Sequence, residues 1–327
     1  NLRLPRTVIP KHYKITIKPN LTSRTFTGCE TISLCLVNKT NEITVHSFGL
    51  NISLAKLTLI QNKKVSQIIL PHIVYCPEEQ TVTFVLPDSV SGSGKLYITF
   101  SGKLHNHAVR GFYASKYNVG DSERYEAVTQ FQPISARKAF PCFDEPNIKA
   151  TFSISLIVPN GRVALSNMPQ ISNVSVSDTE SKITFKKSPR MSTYLVAFVV
   201  GEYDYLERNT SDGKIVVRAY TPVGQSQNGE FALNTTIKAV EYFQKYFGID
   251  YPLPKLDLVA INEYDGGAME NWGLMTFKKV NMILDPKSTP LAHKQYVASL
   301  VVHEVAHQWF GNLVTMNWWS QLWLNEG

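Results

Sequence analysis

Cysteine is scarce in this chain. Its 327 residues include only Cys29, Cys35, Cys76 and Cys142. None of them has the CxxC spacing of a thiolate zinc site or a redox pair. On one extended strand Cys29 and Cys35 would stand about 20 Å apart, beyond disulfide reach, so free or buried thiols are expected. Long apolar runs are missing too: the longest near the middle, Tyr194 to Gly201, falls far short of the ~20 residues of a spanning helix. That excludes a helical membrane span in this segment. The net charge is +7, yet the 33 basic residues are dispersed and never form a Lys/Arg block, which argues for a solvated basic surface and against nucleic acid as a partner. There is no internal repeat, no low-complexity stretch and no periodic glycine, so disorder and collagen are excluded. The start, Asn-Leu-Arg-Leu-Pro, carries no basic-then-apolar leader; either one was removed or none existed.

What is present is an ordinary globular composition, 43% hydrophobic and 18% charged, at a length suited to about two domains. The first two hundred residues alternate polar and apolar side chains in short runs, as in Tyr13 to Lys18, Thr81 to Val85 and Lys95 to Phe100. Period two is the mark of a half-buried strand. Ser89 to Gly94 reads as a turn-rich connector. Further strands are expected at Ala150 to Val158, Lys182 to Lys186, Tyr194 to Val200 and Lys214 to Tyr220. After the polar stretch Gln225 to Gly229 the period changes, and Ala232, Ile237, Val240, Phe243 and Phe247 recur near helical spacing. Pro252 and Pro254 should end that helix, Leu256 to Ile261 reads as a strand, and Asp265-Gly266-Gly267 as a turn. A second helix should run from about Pro290 to Trp309 and break at Gly311-Asn312. A third, capped by Asn317, should cover Trp318 to Glu326. The class is α+β, with a β-sheet domain over 1–205 and a helix-containing domain over 206–327.

The chemistry concentrates at His303-Glu304-Val305-Ala306-His307. Residues four apart on a helix are rotated by about 40° and raised by about 6 Å, so both imidazoles face one point. Two neutral imidazoles so placed suit Zn²⁺, and Glu304 beside them can take a proton from water. A catalytic zinc needs a third protein ligand. Eighteen residues separate His307 from Glu326, and the Gly311-Asn312 break lets the chain reverse so that Glu326 reaches the imidazoles. Taken alone, Glu326 would be an ordinary surface carboxylate, and the histidines an exposed pair on a polar helix. Upstream, Gly267-Ala268-Met269-Glu270-Asn271 lies beside an expected strand edge. An edge strand can hydrogen-bond an extended peptide, while Glu270 could pair with a peptide's α-ammonium and confine cleavage to the chain end. Without the metal site, a tight glycine turn with a solvated Glu would be the simpler reading.

HExxH, the eighteen-residue gap, Glu326 and the GAMEN segment together resemble the M1 (gluzincin) family of zinc aminopeptidases. So does Thr129 to Pro146, TQFQPISARKAFPCFDEP. Met191 to Asp204 and Tyr220 to Gly224 are most similar to the puromycin-sensitive branch. The resemblance runs over nearly the whole chain. It implies a saddle-like β-rich N-terminal domain followed by the first part of a thermolysin-like α/β catalytic domain. It also implies one Zn²⁺ per chain on His303, His307 and Glu326, with Glu304 as general base and Glu270 as α-amine anchor. The expected partners are peptides with a free N-terminus, gripped by Gly267, Ala268, Met269, Glu270 and Asn271. Gln132 falls where the family places a second amine contact, a Glu in many members, and a neutral amide there implies weaker amine binding. Gln130 replaces an Asp that binds calcium in the acidic-residue-specific branch, so neutral or basic N-terminal residues are expected.

The family's transition-state Tyr and its C-terminal helical domain lie beyond Gly327, which implies an incomplete protein with little activity of its own. Three alternatives stand beside this: an epoxide hydrolase/aminopeptidase of the same superfamily, a zinc endopeptidase, and a non-catalytic peptide-binding module. The resemblance implies a cytoplasmic location. The six Asn-x-Ser/Thr sequons at Asn20, Asn38, Asn51, Asn173, Asn209 and Asn234 would instead suit an extracellular or membrane-anchored ectodomain.

Overall fold

A computed structural model describes residues 3–61, 64–105 and 108–327; Asn1 and Leu2, the start of the expected β domain, lie outside the described residues. Three sheets make up most of it. The largest has nine strands. Val8–Asn20 lies near its middle, antiparallel to Thr25–His46 and parallel to Thr151–Pro159. Thr25–His46 in turn pairs with Thr81–Lys103. Alternate residues of Val8–Asn20 are buried, with Ile15 and Ile17 fully so, as the period-two pattern requires. A four-stranded antiparallel sheet contains Gly111–Val119, Ser122–Gln130, Phe198–Gly201 and Val163–Ser166.

The third sheet is mixed and has five strands. Tyr203–Asn209 pairs antiparallel with Val216–Pro222, which runs parallel to Lys255–Ile261, and that strand runs parallel to Leu274–Lys278. The short Ala268–Met269 closes the order as an antiparallel edge strand. Lys255–Ile261 is buried along its whole length, the expected character of a strand flanked by parallel neighbours. Helix α1 (Glu230–Phe247) ends at Gly248 in the left-handed conformation, before the two prolines come into play. Helix α2 (Leu291–Ala306) packs beside it, and the last turn, α3, spans Trp323–Glu326.

Four local expectations are corrected. Ser89 to Gly94 is no connector, because Thr81–Lys103 is one long strand; Gly92, Ser93 and Gly94 pair there with Leu36, Cys35 and Leu34. Tyr194 to Val200 begins as a 3₁₀ turn, Thr193–Leu195, and becomes strand only at Phe198. Helix α2 stops at Ala306 rather than Trp309. The third helix is a 3₁₀ turn, Trp319–Gln321, followed by α3, and Asn317 does not cap it: its Oδ1 accepts from Asn147 Nδ2 at 2.7 Å. Tertiary contacts to residues far upstream outcompete the local signal in these cases. Cys29 and Cys35 do share one strand, and all four cysteines are free.

Candidate metal centre and peptide edge

Helix α2 presents Tyr296, Leu300, His303 and His307 at helical spacing, and His307 is its C-terminal cap. A tight reversal follows. Gly311 has φ +128, a region open mainly to glycine, and a Cβ there would meet His307 Nδ1 at 3.4 Å. Its carbonyl accepts from the buried Tyr194 hydroxyl at 3.1 Å. Trp319 then packs edge-on against Tyr194, with ring centroids 5.1 Å apart, and Asn325 Nδ2 reaches Met316 Sδ at 2.9 Å. These contacts return Glu326 to the end of α2.

The result is a convergence of three donors. The Nε2 atoms of His303 and His307 are 2.9 Å apart, and Glu326 Oε2 lies 3.3 Å from each. Among the described residues this is the one group of three or more His, Cys, Asp or Glu side chains so gathered. Four ligands at ~2.0–2.1 Å around a tetrahedral zinc are ~3.3–3.4 Å from one another, so the donor set fits such an ion after a small widening of the His pair. His307 Nδ1 donates to the Phe310 carbonyl at 2.9 Å, which commits Nδ1 as the donor and turns Nε2 toward the site. The His307 side chain is 3% exposed, against 44% for His303 and 39% for Glu326. The centre therefore has one closed and one open side.

In the metal-free chain Glu326 and His307 shift each other's proton affinities. Hydrogen bonds from His303 and then His307 hold the Glu326 carboxyl well below its usual range. Burial pulls His307 down, but the Glu326 bond, with the charges of Glu270 and Glu304 and the Phe310 carbonyl, outweighs it and lifts the imidazole to about 9. Burial, reinforced by Glu270, raises Glu304. Its Oε2 is buried without a hydrogen-bond partner. A cluster that keeps a proton where a cation would sit is one that a cation can compete for.

The GAMEN segment stands alongside. Gly267 faces Leu300 and Tyr296 of α2, and Ala268–Met269 is the outermost strand of its sheet. Glu270 is 3% exposed, its Oε1 has no partner, and burial raises its pKa. Its backbone is held firmly: the carbonyl accepts from Asn312 Nδ2 at 2.8 Å and Gln308 Nε2 at 3.1 Å. The following turn is anchored from below. Asn167 Nδ2 donates to the Trp272 carbonyl at 2.9 Å, and the buried Lys255 ammonium donates to Gly273 O and Ser166 O, both at 2.7 Å. Gly273, at φ +79, could not be replaced, since a Cβ would fall 2.2 Å from Asn167 O.

The structure thus brings His303, His307, Glu326, Glu304 and Glu270 into one neighbourhood. Gln132 is half-buried in the turn after Ser122–Gln130 and makes no hydrogen bond among the described residues. Gln130, two residues earlier, is the one that touches the segment, with Nε2 3.5 Å from Met269 Sδ. Sequence reasoning missed Asn167, Tyr194 and Lys255. Only Lys255 left a signal: it opens an apolar strand two residues before Asp257, hence on the same face, and the two meet at 2.6 Å.

Comparison with known proteins identifies the family. Residues 9–195 match the Peptidase M1 N-terminal domain and residues 231–327 match the Peptidase family M1 domain. The chain is 44% identical to Aminopeptidase M1 of Arabidopsis thaliana and 42% identical to Aminopeptidase M1-A of Oryza sativa subsp. japonica. It is 43% identical to Aminopeptidase 2, mitochondrial, of Saccharomyces cerevisiae. Each alignment covers 99% of this chain but only 37%, 37% and 34% of those proteins, so the chain spans about a third of their length. The matched segments are a β-rich N-terminal domain followed by the start of the family's catalytic domain. The chain belongs to peptidase family M1. No helix among the described residues is long and apolar enough to cross a membrane.

Proposed function

We propose that this chain carries the metal centre and amine anchor of a zinc aminopeptidase, one that releases single neutral or basic residues from peptide N-termini with one Zn²⁺ per chain. The observation that carries this reading is the convergence of His303, His307 and Glu326 next to an edge strand followed by the buried Glu270, whose Oε1 has no hydrogen-bond partner. Zinc, when bound, supplies Lewis acidity toward a peptide carbonyl and toward water. The chain's own residues do the rest. An extended peptide lies along Ala268–Met269 with its α-ammonium at Glu270 and Gln132, which places its first peptide bond over the three donors. Burial raises the proton affinity of Glu304, so its Oε2 can take a proton from water and return it to the leaving amine. Sheet and helix scaffolding hold both carboxylates still, which favours reaction through orientation.

In this reading residues 1–205 form the β domain and 206–327 the opening of the catalytic domain. These residues alone have little activity, because the turn that carries Glu326 is thinly packed, with Trp323 68% and Leu324 45% exposed. Four free cysteines suit a reducing, cytoplasmic setting. The test is a matched pair of peptides, free and N-acetylated, given to the full-length gene product. The free peptide should lose one residue at a time and the acetylated one should stay intact; cleavage of both at similar rates would make the protein an endopeptidase.

A further inference from the structure

A polar chain of contacts brackets Glu270 and joins two sheets. The Tyr264 hydroxyl donates to Gln130 Oε1 at 2.6 Å, and Gln130 Nε2 donates to Met269 Sδ at 3.5 Å. On the other flank Asn271 Nδ2 donates to Thr276 Oγ1 at 3.3 Å, whose own hydroxyl points at the Tyr264 oxygen 3.5 Å away. Tyr264 is 5% exposed and sits in a buried cluster with Tyr113, Val128, Met269 and Leu274. Its hydroxyl is therefore spent inside the protein, and both ends of the Gln130 amide are spent with it.

The arrangement matters because the two groups assigned to the α-ammonium come from different sheets. Gln132 follows Gln130 by two residues at the end of a strand of the four-stranded sheet, and Glu270 follows Met269 by one at the edge of the five-stranded sheet. Gln130 belongs to the first of these strands, and its side chain reaches Met269 on the second. We infer that Tyr264 is a positioning residue: by orienting the Gln130 amide it sets the distance between Gln132 and Glu270, and with it the fit of the amine grip. The inference rests on the aminopeptidase reading above. It adds a residue that touches neither peptide nor metal.

Two ligands separate these effects, 1-amino-3-methylbutylphosphonate and its des-amino counterpart 3-methylbutylphosphonate, as competitive inhibitors of the full-length protein. The wild type should prefer the amino compound. Tyr264→Phe keeps the ring and removes only the hydroxyl; it should reduce that preference about three- to tenfold, the range one lost hydrogen bond commands, with the des-amino inhibition constant unchanged. Thr276→Val removes the hydroxyl that points at the Tyr264 oxygen and should act in the same direction, which keeps the test alive if either variant folds poorly. Equal weakening of both inhibitors, or no change in either, would overturn the positioning role. A wild type indifferent to the amine would instead sink the aminopeptidase reading, and the grip with it.

Discussion

Replacing Glu270 with Gln is the sharpest perturbation of the peptide edge. The side chain is 3% exposed and its backbone carbonyl is pinned by Asn312 and Gln308, so the amide should occupy the same place without disturbing the strand. What changes is the pairing with a substrate ammonium. Oε1 has no protein partner, so the bound amine is the group that would satisfy it. Removing one partner of a buried charged pair costs about 3–5 kcal/mol. At ~1.4 kcal/mol per factor of ten, that is a fall of roughly 100-fold to a few thousand-fold in kcat/KM. The assay is steady-state hydrolysis of leucinamide by the full-length protein, with zinc content and thermal unfolding checked in parallel. A loss under threefold, in a folded protein that retains its metal, would show that Glu270 does not hold the amine.

Gln132→Glu should lower KM for a dipeptide by adding a second negative charge to the grip, and an unchanged KM would mean that Gln132 lies outside it. The pH dependence of stability has a distinct source. Burial, helped by Arg137, depresses His46 to about 3, below the ~6.5 of an unfolded histidine. Its contribution is therefore present above pH 6.5 and is lost as pH falls from 6.5 toward 3. Between pH 7 and 5 it amounts to about 2 kcal/mol. Urea unfolding of wild type and His46→Asn at both pH values isolates it, since the other titrating groups are common to both; equal pH slopes would contradict it.

The helix that carries His303 and His307 was legible because its signal is local: HExxH needs only the 3.6-residue period to bring two imidazoles together. Glu326 was legible from its spacing, although the path to it was misread. An unbroken helix was expected, while the chain makes a 3₁₀ turn and one helical turn, held by Tyr194 and Trp319 rather than by a cap. The edge strand could be read from its glycines. Its supports could not, because they reach far along the chain: Tyr264 meets Gln130 across 134 residues and Asn167 meets Trp272 across 105. No periodicity encodes such contacts. The long strand Thr81–Lys103 was split by its serines and glycines for a related reason. Pairing with a neighbour of nearly equal length overrides the weak strand preference of those residues.

The most direct test of the account is an anomalous-difference map collected at the zinc edge from crystals of the full-length protein grown with Zn²⁺. The account predicts a single strong peak per chain, ~2.0–2.2 Å from Nε2 of His303 and of His307 and from a Glu326 oxygen, lost in Glu326→Ala crystals or reduced to low occupancy. A zinc peak elsewhere, or one undiminished when Glu326 is removed, would contradict it.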